Sequence, residues 1–187
     1  MTPRCLATGL LATPLLLAAC AAPKPPPLPT ASPPAAQSCA DSIAAALGRR
    51  FALMPEVAAA KRREGVALTD PAQEAKVLRQ ARTDATRQGL SAAAAEQLFA
   101  VLIDLSKAVQ AQTPDGDATG PDLATLRRAV AAAGSTLLPE IHRCVPLLAG
   151  HPDTMAVALR HDLGPWLDAG QIETLLDALP PRAFPPR

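Results

Sequence analysis

Arg50-Phe51-Ala52-Leu53-Met54-Pro55-Glu56-Val57-Ala58-Ala59-Ala60-Lys61 reads as the core-facing side of a helix that carries two cations. Arg50 and Lys61 are about three turns apart at 3.6 residues per turn, so both project from nearly one face, with Val57 between them. The same mixture recurs downstream. Asp70 and Glu74 form an i, i+4 pair at the start of a second predicted helix, and Ser106 and Gln110 form another on a third. That last pair continues the apolar row of Leu98 and Leu102. Polar groups on core-facing rows cost free energy unless they meet partners or a ligand. From the residues alone both outcomes stay open. Arg50 and Lys61 pair with Asp70 and Glu74 in a structural network while Ser106 bonds its own helix, or the six together line a ligand site.

Working outward, the chain reads as all-α, a single bundle of about six helices. Ala and Leu dominate, β-branched residues are sparse and the apolar period is helical. The first helix is expected over residues 40–63, bent at Pro55. Asp70 caps the second, with Pro71 at its first position and Gly89 as its stop. Ser91 caps the third, in which Leu98, Leu102, Leu105 and Val109 repeat at three- and four-residue steps. A fourth is expected from Asp122 to about residue 148, bent at Pro139, and two shorter ones over residues 152–161 and 169–179.

The N-terminus has the pattern of an export signal. Arg4 precedes an uncharged apolar stretch too short for a stable membrane anchor, ending in Leu17-Ala18-Ala19-Cys20. This resembles a bacterial lipoprotein cleavage box. Residues 1–19 are then the leader, and Cys20 is the lipidated first residue of the mature protein. Residues 20–37 form a Pro-rich tether (Pro23, Pro25, Pro26, Pro27, Pro29, Pro33, Pro34), extended at about 3.1 Å per residue. Residues 38–187 remain for one domain, on the periplasmic side of a bacterial membrane.

The chain has 18 basic and 17 acidic residues, and losing Arg4 with the leader brings the counts level. With aromatics at 2%, neither a basic surplus nor stacking platforms point to nucleic acid. Cys5 leaves with the leader and Cys20 takes lipid, so Cys39 and Cys144 are expected to pair in an oxidising compartment, joining the domain's start to its fourth helix. The other arrangement is two buried thiols. No Cys/His spacing reads as a metal site.

Taken together, the Arg50–Lys61 stretch, Asp70-Pro71-Ala72-Gln73-Glu74 and Ser106-Lys107-Ala108-Val109-Gln110 resemble the all-helical (AroQ-class, type II) chorismate mutases, in particular their secreted gamma subclass. The resemblance implies conversion of chorismate to prephenate by a [3,3] rearrangement, with no cofactor or metal. It implies that Arg50 grips a substrate carboxylate and that Lys61 and Gln110 address the ether oxygen. Asp70, Glu74 and Ser106 would bind the ring hydroxyl or orient their neighbours. Helical mutases commonly dimerise, so the resemblance also admits a homodimer.

Two departures stand out. Gln73 occupies the place of a family arginine in the substrate-binding set. A charge-assisted bond is roughly twice as strong as a neutral one, so affinity or rate falls unless something compensates. Gln73 also fits a capping box with Asp70. A further family cation, supplied by the fourth helix in some secreted members, aligns with Thr136, with Arg127 and Arg128 earlier on that helix. Two other functions stay open: a degenerate relative that serves as a dianion-binding or envelope interaction module, and a structural helical lipoprotein without a small ligand.

Overall fold

The structure is a computed structural model describing residues 34–115, 119–179 and 184. The leader, Cys20 and most of the expected tether lie outside the described residues. Eight helical segments follow one another: α1 Pro34–Ala52, α2 Met54–Arg63, α3 Pro71–Arg87, α4 Ala92–Gln112, α5 Leu123–Ser135, α6 Leu137–Leu148, α7 Pro152–Leu163 and α8 Ala169–Asp177. No strand occurs among the described residues. The pairs α1/α2 and α5/α6 correspond to the two expected bent helices, so the all-α bundle of about six helices is what the chain forms.

Both breaks trace to proline. Pro55 has no N–H for the Phe51 carbonyl, and its ring crowds that carbonyl. The chain turns at Leu53, whose amide donates to Arg50 O at 3.3 Å, and the ladder resumes from Val57 N to Leu53 O at 3.0 Å. The second break falls at Thr136, ahead of the expected Pro139. Pro139 sits in the first turn of α6, where a missing donor is tolerated. Another expectation needs correcting: α1 begins at Pro34, not near Ala40. Pro34 suits a first helical position, the residues after it are good helix formers, and Ala36 is buried at 2% exposure.

The helix ends that frame the site are built by local bonds. At the end of α2, Val66 N donates to Lys61 O at 2.8 Å and Gly65 N to Arg62 O at 3.2 Å. At the end of α3, Leu90 N donates to Ala85 O at 2.9 Å and Gly89 N to Thr86 O at 3.1 Å. Both are Schellman closures, and their glycines take the left-handed conformation that a side chain would strain, φ 66° at Gly65 and 72° at Gly89. Asp70, Ser91 and Asp122 each cap the following helix through a side-chain oxygen.

α1 runs through the centre, packing on α5, α6 and α7, while α3 lies on α4 and α2 bridges α4 and α5. Its buried row of Cys39, Ile43, Leu47, Arg50 and Phe51 is helical in period. The expected disulfide is present: Cys39 of α1 and Cys144 of α6 are bonded, with Cα atoms 5.5 Å apart. None of the described helices is long and apolar enough to cross a membrane.

Candidate active site

The break between α1 and α2 keeps Arg50 and Lys61 on a common wall, and α3, α4 and α5 close the space in front of them. The result is a cavity of about 370 Å³. Arg50, Lys61, Asp70, Gln73, Glu74, Ser106 and Gln110 all line it, so the six residues singled out by spacing, and Gln73 from the resemblance, come to one place. Met54, Phe99 and Lys107, not anticipated as site residues, also line it, as does Arg127, named above on the expected fourth helix beside Thr136.

The inner end is buried and unneutralised. Arg50 is 6% exposed, its Nε has no hydrogen-bond partner, and no carboxylate pairs with it among the described residues. Burial alone pushes its guanidinium below its ordinary value, down to about 10, so it remains a cation at neutral pH. Beside it Gln110 donates through Nε2 to Met54 Sδ at 3.4 Å, and its Oε1 is buried without a donor. Ser106 Oγ donates to Leu102 O at 2.6 Å, a back-bond within α4. Gly134 borders this end: a Cβ there would be in ordinary contact with Phe99 at 3.6 Å and Arg50 Nη1 at 3.8 Å.

The mouth is the opposite case. Lys61, held in the last turn of α2, donates from Nζ to Leu68 O at 2.6 Å. Burial first, then the positive charge of Arg127, hold its ammonium below the ordinary value, against the pull of Asp70 and Glu74. Arg127 Nη2 donates to Asp70 Oδ2 at 2.6 Å, while Asp70 Oδ1 accepts from Gln73 N at 3.1 Å. Those contacts, the helix-cap bond from Gln73 above all, draw the Asp70 carboxyl below its ordinary range. Lys107 Nζ lies 3.4 Å from Glu74 Oε2 and 3.0 Å from Asp104 Oδ1.

A structural ion-pair network therefore exists, but with different cations from those the sequence suggested. Arg127 and Lys107 neutralise Asp70 and Glu74; Arg50 and Lys61 are left for something else. The capping box is likewise half as expected. The Gln73 backbone N–H donates to Asp70, but Asp70 N donates to Glu74 Oε1 at 3.4 Å rather than to the Gln73 side chain. The Gln73 side chain makes no hydrogen bond among the described residues and is left to line the cavity. Thr136, the expected fourth-helix position, points its hydroxyl to Ala133 O instead. Arg127 is the α5 cation at the cavity. The signal that could have found it was its i, i+3 relation to Val130 and i, i+7 relation to Gly134, both of which share the lining.

Residues 36–111 match the family model for chorismate mutase type II. No curated protein matches the chain at a significant level. Among solved structures, the chorismate mutase from Burkholderia thailandensis is 28% identical with a TM-score of 0.58, covering 75% of this chain and 96% of that one. The chorismate mutase from Burkholderia phymatum is 22% identical with a TM-score of 0.65, covering 80% and 98%. The secreted chorismate mutase from Yersinia pestis is 21% identical with a TM-score of 0.63, covering 73% and 94%. The last two comparisons bear on the fold alone. By sequence over residues 36–111 and by fold over most of the chain, this protein resembles the all-helical, type II chorismate mutases.

Proposed function

We propose that this protein is an exported chorismate mutase that converts chorismate to prephenate. The observation that carries the reading is Arg50: a buried guanidinium with no internal counter-charge, on the wall of a cavity that also holds Lys61 and Gln110. Burying an uncompensated charge is costly, and an anionic ligand removes the cost. In the rearrangement the ether C–O bond breaks as a C–C bond forms within one molecule, so no nucleophile is required. What the protein must do is hold the dianion compact and stabilise charge growing on the ether oxygen.

In this reading Arg50 holds one carboxylate at the buried end. Lys61 and Gln110 address the ether oxygen, Gln110 by exchanging Met54 Sδ for that oxygen. Asp70 and Glu74 orient Arg127 and Lys107, with Glu74 also near the ring hydroxyl. Ser106 packs beneath them with its hydroxyl satisfied by Leu102 O. Lipid-anchored export rests on the Leu17-Ala18-Ala19-Cys20 box, with Cys20 lipidated. Mass analysis of the mature N-terminus in a bacterial host tests it, and an unmodified Cys20 defeats it.

The deciding assay follows loss of chorismate absorbance with purified protein, beside Lys61→Ala. Turnover in the parent that vanishes in the variant is expected. A folded, inactive parent favours the second reading, a dianion-binding module, for which the neutral Gln73 is the specific observation.

A further inference from the structure

Among the described residues the Gln110 side chain makes one hydrogen bond, and its partner is a thioether: Nε2 donates to Met54 Sδ at 3.4 Å, across 56 positions of the chain. Both residues line the cavity and both are buried, Met54 at 2% and Gln110 at 6% exposure. Met54 is placed there by the break in the first long helix. It is the first residue of α2, directly before Pro55, and it reaches Gln110 because α2 packs on α4.

The two ends of a carboxamide have nearly the same shape and opposite roles, Oε1 accepting and Nε2 donating, so packing alone does not choose between its two orientations. A thioether does choose. It accepts through lone pairs and has no hydrogen to give, so it favours Nε2 over Oε1. The orientation is kept although it leaves Oε1 buried without a donor, which costs free energy. The sulfur is also a weak acceptor. A donor bonded weakly at rest and strongly to a developing oxyanion gains in the transition state, which is where a gain raises the rate.

We propose that Met54 is the positioning residue for Gln110, its sulfur selecting the amide orientation in which Nε2, not Oε1, is available to the breaking ether bond. This rests on the chorismate mutase reading above. It adds a requirement of its own, an acceptor without a donor at position 54, and it assigns a task to a residue that otherwise reads as core.

The test is steady-state conversion of chorismate by the purified protein, with helicity and denaturant stability recorded for each variant. Met54→Leu keeps the volume and removes the acceptor. It should lower kcat roughly 3- to 10-fold, the weight of one modest hydrogen bond, with KM little changed. Norleucine, which has a methylene in place of the sulfur, should do the same in a Met155→Leu background, where Met54 is the one methionine left after Met1. With Gln110→Leu already present, Met54→Leu should alter neither kcat nor stability by its full single-variant effect, a coupling that independent packing would not produce. If Met54→Leu and the norleucine protein keep the parent's kcat, this inference falls and the mutase reading stands. If they lower kcat equally with and without Gln110, position 54 serves packing and the inference is refuted. If the parent does not convert chorismate, the mutase reading falls and takes this inference with it.

Discussion

The two ends of the cavity solve opposite electrostatic problems. At the inner end Arg50 and Gln110 are each 6% exposed and carry polar atoms without partners, at a net cost to the fold. At the mouth, Asp70, Glu74, Lys107 and Arg127 are partly exposed and charge-balanced before any ligand arrives. The difference teaches where binding energy is to be gained. Solvent-screened pairs at the mouth contribute little by themselves, whereas a buried unpaired cation gains strongly from an anion delivered to it.

The comparison breaks most visibly at the reacting centre. Lys61→Ala should lower kcat/KM roughly 10²- to 10³-fold, as expected when a donor aimed at a developing oxyanion is removed. Its Tm should change little, because among the described residues the one hydrogen bond of the half-buried Lys61 side chain goes to a loop carbonyl. Next comes the inner end itself. Arg50→Met should abolish chorismate binding while stabilising the fold by roughly 1–3 kcal/mol, since a desolvated charge is replaced by packing. Chemical denaturation measures the gain, and a loss of stability would mean that Arg50 has an internal partner after all.

Removing the α1–α6 staple should matter to the whole frame. Cys39 and Cys144 are 105 residues apart, and Cys144→Ser should cost roughly 2–5 kcal/mol in denaturant. Gln73→Arg in the parent should change KM only a few-fold if Arg127 already supplies the charge; a gain of roughly 100-fold would show that nothing does.

The smallest effect is at the mouth and depends on pH. The folded-state Asp70 carboxyl lies below its ordinary 3.8. Its contribution to stability is therefore present above that value and is lost as pH falls through the folded one. Asp70→Asn should flatten the acid limb of the stability profile below about pH 4, and an unchanged limb would contradict the contacts drawn for Asp70.

Much of this was legible because it is local. Asp70, Ser91 and Asp122 cap as short-range chemistry demands, Gly89 stops α3, and Pro55 breaks the first helix close to where its missing donor falls. The inner site was legible for a related reason: Arg50, Ser106 and Gln110 are polar residues on apolar rows, a conflict visible in the period itself. The partners were not legible. Asp70 meets Arg127 across 57 positions and Glu74 meets Lys107 across 33, and no helical period links residues on different helices. The start of α1 was missed because the prolines before Ala35 read as tether, although Pro34 is well suited to open a helix.

By itself, the sequence determined an all-helical chain with its breaks, its caps, its cysteine pair and the polar residues destined for one cavity. The cysteine pair follows from the two cysteines left once the leader and the lipidated Cys20 are set aside; the rest follow from interactions spanning a few residues or from the cost of misplaced polarity. Only the tertiary structure decided which cations would be neutralised and which left bare, and that Arg127 rather than Thr136 would face the site. Charge pairing depends on distances between helices, and those are set by packing.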